Sequence, residues 1–155
     1  MQGTYEFMSD DLLTTTERNR PYLQTPVDDL FSLYYTMQWA AVFHNQEFSA
    51  GKDIPSDLRA LRKEVSGNRS ERASATTEIA LSAELAVDRY GQFLVDCHPF
   101  LRHWYLSLLS LRDNWKESQS QLEEQHSALA YPSLFSIFAV QGVAQLAKLV
   151  DKYTS

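Results

Sequence analysis

Apolar residues recur at intervals of three and four along most of this 155-residue chain, and this spacing limits the fold more than any other feature. A clear case is the series Val27, Leu30, Tyr34, Met37 and Ala41. Such spacing places apolar side chains on one face of an α-helix. No stretch alternates apolar and polar residues with the period of two that strands show. The sequence therefore predicts an all-α protein.

Five helices are predicted from this spacing and from the residues that begin and end helices. Thr25 is a good N-cap, and Gly67 suits a left-handed C-cap. Pro99 disfavours helical backbone at the residue before it, so a helix is expected to end or kink there. The predicted helices run over about 26–48, 55–66, 69–97, 99–125 and 132–153. We therefore expect a single-domain bundle of about five helices over residues 25–155, preceded by an irregular segment over residues 1–24.

The composition limits the compartment and the kinds of stabilising bond. Cys97 is the single cysteine, which excludes an internal disulfide and suits a reducing cytoplasm. The apolar runs are broken by polar residues well short of the roughly 20 residues that a membrane span needs. The N-terminal sequence lacks the apolar core of a signal peptide. We expect a cytoplasmic protein without a membrane segment.

The sequence carries no catalytic signature. A glycine-rich phosphate loop, a nucleophile elbow and a dinucleotide-binding fingerprint are all missing. Glu123 and His126 form one Glu-x-x-His motif, whereas a di-metal carboxylate bundle needs two of them and two further glutamates. Cys97, His98 and His103 lack a fourth zinc ligand. We expect no enzyme activity, no cofactor and no metal; a helical carboxylate metalloenzyme is the alternative that bound iron or manganese would favour.

Positive charge is concentrated in one part of this acidic chain. The net charge is −6, yet residues 52–72 carry six positive and four negative groups. The cations of interest, here called the basic edge, are Arg59, Arg62, Lys63, Arg69 and Arg72. On a helical wheel the first three lie about 130° from the apolar stripe of Leu58, Leu61 and Val65, which predicts that they project outward together. The edge is either a solvated face with pairs inside the molecule or a surface that contacts a polyanion.

A second, smaller group combines an aromatic ring with cations. Trp115 lies between Arg112 and Lys116 in sequence. Exposed aromatic rings beside basic groups stack on nucleic-acid bases. These three residues are therefore a secondary candidate site for nucleic acid, with burial of Trp115 in the core as the alternative.

A small acidic helical bundle with one basic edge resembles the small subunits of CRISPR surveillance complexes, in particular that of the type I-D Cascade. Members of that family are non-enzymatic bundles that stack along the complex and guide nucleic acid by backbone contacts. The resemblance implies a role in antiviral defence. It also implies three kinds of partner: other subunits of a ribonucleoprotein, neighbouring copies of the chain, and the backbone of crRNA or target DNA. The start MQGTYEFMSDD, with Met8 close by, fits a chain translated from an internal start site.

A protein-binding function remains open beside the nucleic-acid one. In that case the chain is an adaptor or chaperone without nucleic-acid contact, and residues 58–72 dock an acidic partner. Contacts to phosphates position a strand without reading its bases and weaken with salt. Salt-sensitive retention of DNA or RNA by the assembled complex therefore separates the two functions.

Overall fold

The structure, a computed structural model, describes residues 7–19, 21–48, 53–125 and 128–155. Within these ranges the chain forms helices and no strand, which confirms the all-α prediction. Seven α-helices lie in the described ranges, two more than predicted. They are α1 Asp10–Glu17, α2 Pro26–Val42, α3 Ser56–Val65, α4 Arg69–Leu81, α5 Val87–Tyr90, α6 Gln92–Glu124 and α7 Tyr131–Thr154, with a short 3-10 helix, Ala128–Ala130, before α7.

Helix α1 lies in the N-terminal segment 1–24 that was predicted to be irregular. Ser9 is its N-cap, and the Ser9 Oγ accepts a hydrogen bond from the Leu12 amide at 3.2 Å. Asp10 and Asp11 occupy the first turn, where a carboxylate is favourable for the helix dipole. Its eight residues bury one side chain, Leu13, so the segment has no sustained apolar spacing for a sequence reading to detect.

The predicted helix over 69–97 is interrupted after Leu81. Ser82 adopts extended backbone, and the short α5 precedes Gly91. Gly91 has a φ of 83° and a ψ of 158°, a conformation essentially restricted to glycine. A Cβ there would also come within 2.6 Å of a Glu47 carboxylate oxygen. Gly91 thus marks the turn between α5 and α6, where the backbone passes close to Glu47.

Helix α6 continues through Pro99, so the two helices predicted on either side of this residue are one helix. Proline in a helix interior costs about 3 kcal/mol because a hydrogen bond is lost and the ring crowds the preceding turn. Burial offsets this cost, since each buried leucine contributes about 1.5–3 kcal/mol. Pro99 itself is exposed. The buried residues on the opposing stripe of α6 are Leu94, Leu101, Trp104, Leu108 and Leu111.

Contacts group the helices into two compact units. Unit 1 comprises Met1–Leu33 with Trp104–Ser155, and unit 2 comprises Tyr34–His103. In unit 2, α3 packs against α4 and α5. The stripe of Leu58, Leu61 and Val65 is buried as predicted.

Aromatic packing and one close helix approach hold unit 1 together. Trp115 lies edge-on to Phe138 with ring centroids 5.2 Å apart, which joins α6 to α7. A Cβ on Gly142 would come within 3.2 Å of Leu111 Cδ2 and would overlap the Leu30 side chain. Gly142 therefore marks a close packing contact.

A buried carboxylate organises the start of α2 in unit 1. Asp28 is 3% exposed. It accepts hydrogen bonds from the Thr25 amide and hydroxyl, both at 2.8 Å, from the Tyr22 hydroxyl at 2.9 Å, and from the Ser9 hydroxyl. A buried charge is stable only when it is hydrogen-bonded in this way. The network fixes the entry into α2, where the sequence predicted a helix start.

Candidate interaction surfaces

Arg62 of the basic edge caps helix α2. Its Nε donates to the carbonyl of Val42 at 2.8 Å, and its Nη2 donates to the carbonyl of His44 at 3.1 Å. The last carbonyls of a helix have no partner within the helix. The guanidinium lies 5.4 Å from the Phe43 ring centroid, and burial lowers the pKa of Arg62 from its usual value, an effect that Glu47 opposes. The prediction that Arg62 projects outward is therefore wrong.

Arg72 is buried, so this member of the basic edge is not exposed for contact with a polyanion. It is 3% exposed, and its guanidinium lies 4.7 Å from the ring centroid of Tyr35. At the same end of α4, Asn68 and Glu71 form a capping box. The capping box satisfies the first amides of the helix. Both arginines thus serve the packing of unit 2 and do not face solvent together.

The outward part of the basic edge is reduced to two exposed cations on α3. Arg59 and Lys63 are exposed, and neither forms an ion pair with a described residue. Arg59 makes one long hydrogen bond, from Nη2 to the Ile54 carbonyl at 3.3 Å. Arg69 is half-buried at the first turn of α4. The surface available for a polyanion is therefore smaller than the sequence predicted.

The secondary candidate group does not present an aromatic platform. Trp115 is 4% exposed, which agrees with the alternative prediction that it is buried in the core. Lys116 pairs with Asp11, with 3.0 Å between Nζ and Oδ2. The guanidinium of Arg112 lies 5.8 Å over the Phe31 ring. These side chains are engaged within unit 1, so base stacking on Trp115 would require unpacking its core.

The described residues contain no group of three or more His, Cys, Asp or Glu side chains that could hold a metal ion. Glu123 accepts hydrogen bonds from Gln119 at 3.1 Å and from Tyr131 at 3.4 Å, and His126 lies outside the described residues. His98 is 5% exposed, with its Nε2 3.1 Å from the Ser82 carbonyl oxygen, and burial lowers its pKa. The expectations of no metal and no enzyme activity stay predictions.

Helix α7 carries a surface that the sequence analysis missed. One side packs within unit 1 through Phe138, Gly142 and Leu149. The opposite side is also apolar, although the outer face of a surface helix is normally polar. Ile137, Val140, Val143 and Val150 are 58%, 69%, 60% and 43% exposed. With the exposed alanines, the members of this apolar strip are Ile137, Val140, Val143, Ala144, Ala147 and Val150.

Helix α7 is also long and apolar enough to cross a membrane by length and composition. An 18-residue window within it has a mean hydropathy of 1.5. The prediction that every apolar run falls well short of a membrane span is therefore wrong. Core helices of water-soluble proteins, which are mostly buried, pass the same test, whereas 17% of this window is buried. Because Phe138, Gly142 and Leu149 are packed inside unit 1, length and hydropathy alone do not assign a membrane to α7.

Comparisons with protein-family models, with curated proteins and with solved structures found no match for this chain. The resemblance to CRISPR small subunits thus stays a prediction. A functional proposal therefore depends on the contacts and exposed surfaces of the chain itself.

Proposed function

We propose that this protein is a non-catalytic helical subunit that binds other protein chains through the apolar strip of α7. One observation carries the proposal: α7 is apolar on two opposite sides, and only one of them is packed. Contiguous exposed apolar patches mark interaction sites on soluble proteins. The protein-binding function that the sequence left open is therefore the one that the contacts support best.

The dimensions of the strip suit a helical or grooved protein partner. From Ile137 to Val150 the strip extends along α7 for about 20 Å at 1.5 Å per residue. Its most exposed members are branched side chains, and burial yields about 25 cal/mol per Å² of apolar surface. Their stiff χ1 angles mean that little side-chain entropy is lost when a partner covers them. The strip can thus supply the apolar centre of a modest interface.

A charge reversal in the apolar strip tests this function. Val140→Glu with Val143→Glu should remove partner chains from a complex isolated under native conditions from cells that produce the tagged protein. Val87→Glu is the matched control, because Val87 is 46% exposed and lies outside α7. Mass spectrometry gives the stoichiometry of each retained subunit, and circular dichroism checks that both variants fold. If the double variant retains the same subunits in the same ratios as the wild type, the proposal fails.

A second candidate is the guiding of crRNA or target DNA by backbone contacts in a cytoplasmic surveillance complex. It is favoured by the exposure of Arg59 and Lys63 on one helix without an ion pair to any described residue. Two such cations would give a weak contact. Each phosphate contact contributes about 0.7–0.9 to the slope of log affinity against log salt.

The test of this second function replaces both cations together. Arg59→Ala with Lys63→Ala should lower the affinity of the chain, or of its assembled complex, for single-stranded RNA or DNA by a similar factor for unrelated sequences. The salt slope should flatten by about 1.4–1.8, as two lost contacts require. Arg102→Ala is the control, since Arg102 is an exposed arginine outside the basic edge. Unchanged affinity and slope in the double variant would leave the basic edge as a solvated face.

A further inference from the structure

An exposed tryptophan lies near the end of helix α2, in unit 2. Trp39 is 39% exposed, and its ring stacks on the Phe43 ring with centroids 4.5 Å apart and an angle of 21° between the planes. The other two tryptophans, Trp104 and Trp115, are 1% and 4% exposed. Trp39 is thus the tryptophan whose indole can be reached from solvent.

Arg62 joins this aromatic pair to helix α3. Its guanidinium lies 5.4 Å from the Phe43 ring centroid and also donates to the carbonyls at the end of α2. These contacts fix α3 beside the aromatic end of α2. The exposed Arg59 lies one turn before Arg62 on α3, and the exposed Lys63 follows Arg62 directly. The exposed ring and the two exposed cations therefore lie at the same junction of α2 and α3.

The charges of α3 are separated on its two flanks. At about 100° per residue, Asp57 and Glu64 lie roughly 160° around the helix from the mean direction of the three cations. Asp57 pairs with Arg89 of α5, whereas Arg62 reaches α2 from the other flank. The acidic flank of α3 is therefore directed away from the aromatic end of α2.

Two further acids have to be considered at this junction, Glu47 and Asp53. The Glu47 carboxylate accepts a hydrogen bond from the Gln92 amide at 2.7 Å, so it is directed to the first turn of α6. A carboxylate in that position is balanced by the positive end of the helix dipole. Asp53 is exposed just before α3 and reduces the positive charge there. It does not cancel the charge of the two exposed cations of α3.

We propose that Trp39 stacks on a base of a single-stranded nucleic acid while Arg59 and Lys63 contact the phosphates of the same strand. This inference rests on the second candidate function, to which it adds a contact with the bases. Every base has a flat π face, so an aromatic ring beside basic groups binds single strands with little regard to sequence. Unstacked bases are available in single strands. The combination of exposed ring and cations that was predicted at Trp115 lies at Trp39.

Leucine at position 39 removes the aromatic face and keeps an apolar side chain. Trp39→Leu in the full chain should weaken binding of an oligothymidylate of about 12 nucleotides by at least about fivefold, which corresponds to roughly 1 kcal/mol for one stacked base. The slope of log affinity against log salt should match the wild type, because stacking neutralises no phosphate. Arg59→Ala with Lys63→Ala should flatten that slope instead. Fluorescence anisotropy measures both quantities.

Two variants control for the change at position 39. Trp39→Phe keeps a ring and should retain most of the affinity. Tyr153→Leu should bind as the wild type does: Tyr153 is also 39% exposed, but it lies on α7, where the charges of Asp151 and Lys152 offset each other. Urea midpoints show whether each variant folds.

A change in the oligonucleotide tests stacking without changing the protein. A strand of equal length built from abasic sites keeps the phosphates and removes the bases. The wild type should bind this strand at least about fivefold more weakly than oligothymidylate, whereas Trp39→Leu should bind both alike. Oligothymidylate should also quench the tryptophan fluorescence of the wild type and leave that of Trp39→Phe unchanged, because the remaining tryptophans are buried.

The outcomes separate this inference from the second candidate function. Equal affinity of the wild type for the two strands, with a flattened salt slope in the double alanine variant, overturns stacking and leaves backbone guiding standing. Failure of the chain and of its native complex to bind either strand overturns both. Loss of protein subunits from the native complex of Trp39→Leu, with unchanged affinity for oligothymidylate, also overturns the inference and assigns Trp39 to a protein interface.

Discussion

Replacing Arg72 with alanine should destabilise the protein strongly, whereas the same replacement at Arg59 should leave its stability nearly unchanged. The two substitutions remove the same charge and the same side chain. They differ in surroundings: Arg72 is 3% exposed and lies over the Tyr35 ring at 4.7 Å, whereas Arg59 is exposed. If the basic edge were one solvated surface, the two variants would behave alike.

The magnitude for Arg72 can be built from two terms. A desolvated cation over an aromatic ring contributes about 2 kcal/mol. The arginine stem contributes further through its buried methylenes, at about 0.8 kcal/mol each. Neighbouring side chains partly fill the space left by Arg72 and recover some of the lost stabilisation. We therefore expect the free energy of unfolding to fall by about 3 kcal/mol. Exposed substitutions such as Arg59→Ala usually fall within about 0.5 kcal/mol.

Urea denaturation followed by circular dichroism measures this difference. With an m-value of about 2 kcal/mol per molar urea, a loss of 3 kcal/mol lowers the midpoint by about 1.5 M. The Arg59→Ala midpoint should lie within about 0.25 M of the wild type. Equal midpoints for the two variants would refute the buried position of Arg72 and restore it as a surface cation.

Three further predictions follow from buried polar groups. Asp28→Ala should lower the free energy of unfolding by at least about 2 kcal/mol, because it leaves several buried donors without an acceptor; the exposed Asp29→Ala should cost less than about 1 kcal/mol, and similar urea midpoints would argue against the Asp28 network. Burial lowers the pKa of folded His98, so its stabilising effect is full above the unfolded pKa of about 6.5 and is lost as the pH falls from there through the folded value. His98→Gln should therefore flatten the decline of thermal stability between pH 7 and pH 5, and parallel curves for the two proteins would contradict this. Burial raises the pKa of the Cys97 thiol, so an aromatic disulfide reagent at neutral pH should react more slowly with the folded than with the urea-unfolded chain; equal rates would show an accessible thiolate.

Local signals predicted how helices begin better than how they end. Thr25 and Pro26 set the start of α2 where the sequence placed it. The end was predicted near residue 48 but lies at Val42, where Arg62 takes the carbonyls at the helix terminus. Arg62 lies 20 positions from Val42, so capping signals near the helix end cannot identify it. The two helices predicted on either side of Pro99 are one helix for a similar reason. Burial of the opposite side of α6 outweighs the local preference of proline against a helix interior.

The basic edge shows what a helical wheel can and cannot supply. The wheel placed the apolar stripe of α3 correctly, since Leu58, Leu61 and Val65 are buried. It was wrong for Arg62, because a wheel does not show the neighbouring end of α2 to which the Arg62 side chain donates hydrogen bonds. In α7 the difficulty was different: two opposite sides are apolar, and the sequence does not say which one packs in the core. The exposed strip could have been suspected from the valines at 140, 143 and 150, which extend the apolar surface around the helix.

The division of the chain into two units has a consequence for the order in which it folds. Unit 2 is one continuous segment of 70 residues, Tyr34–His103, whereas unit 1 combines segments from both sides of it. All of unit 2 is therefore synthesised before the second half of unit 1. Closing a disordered loop of 70 residues costs roughly 4 kcal/mol in chain entropy, and earlier folding of unit 2 would shorten that loop. In pulse-labelled hydrogen exchange during refolding, amides of α3 and α4 should accordingly become protected before those of α7. Unit 2 would then fold first and shorten the loop that the two segments of unit 1 have to close.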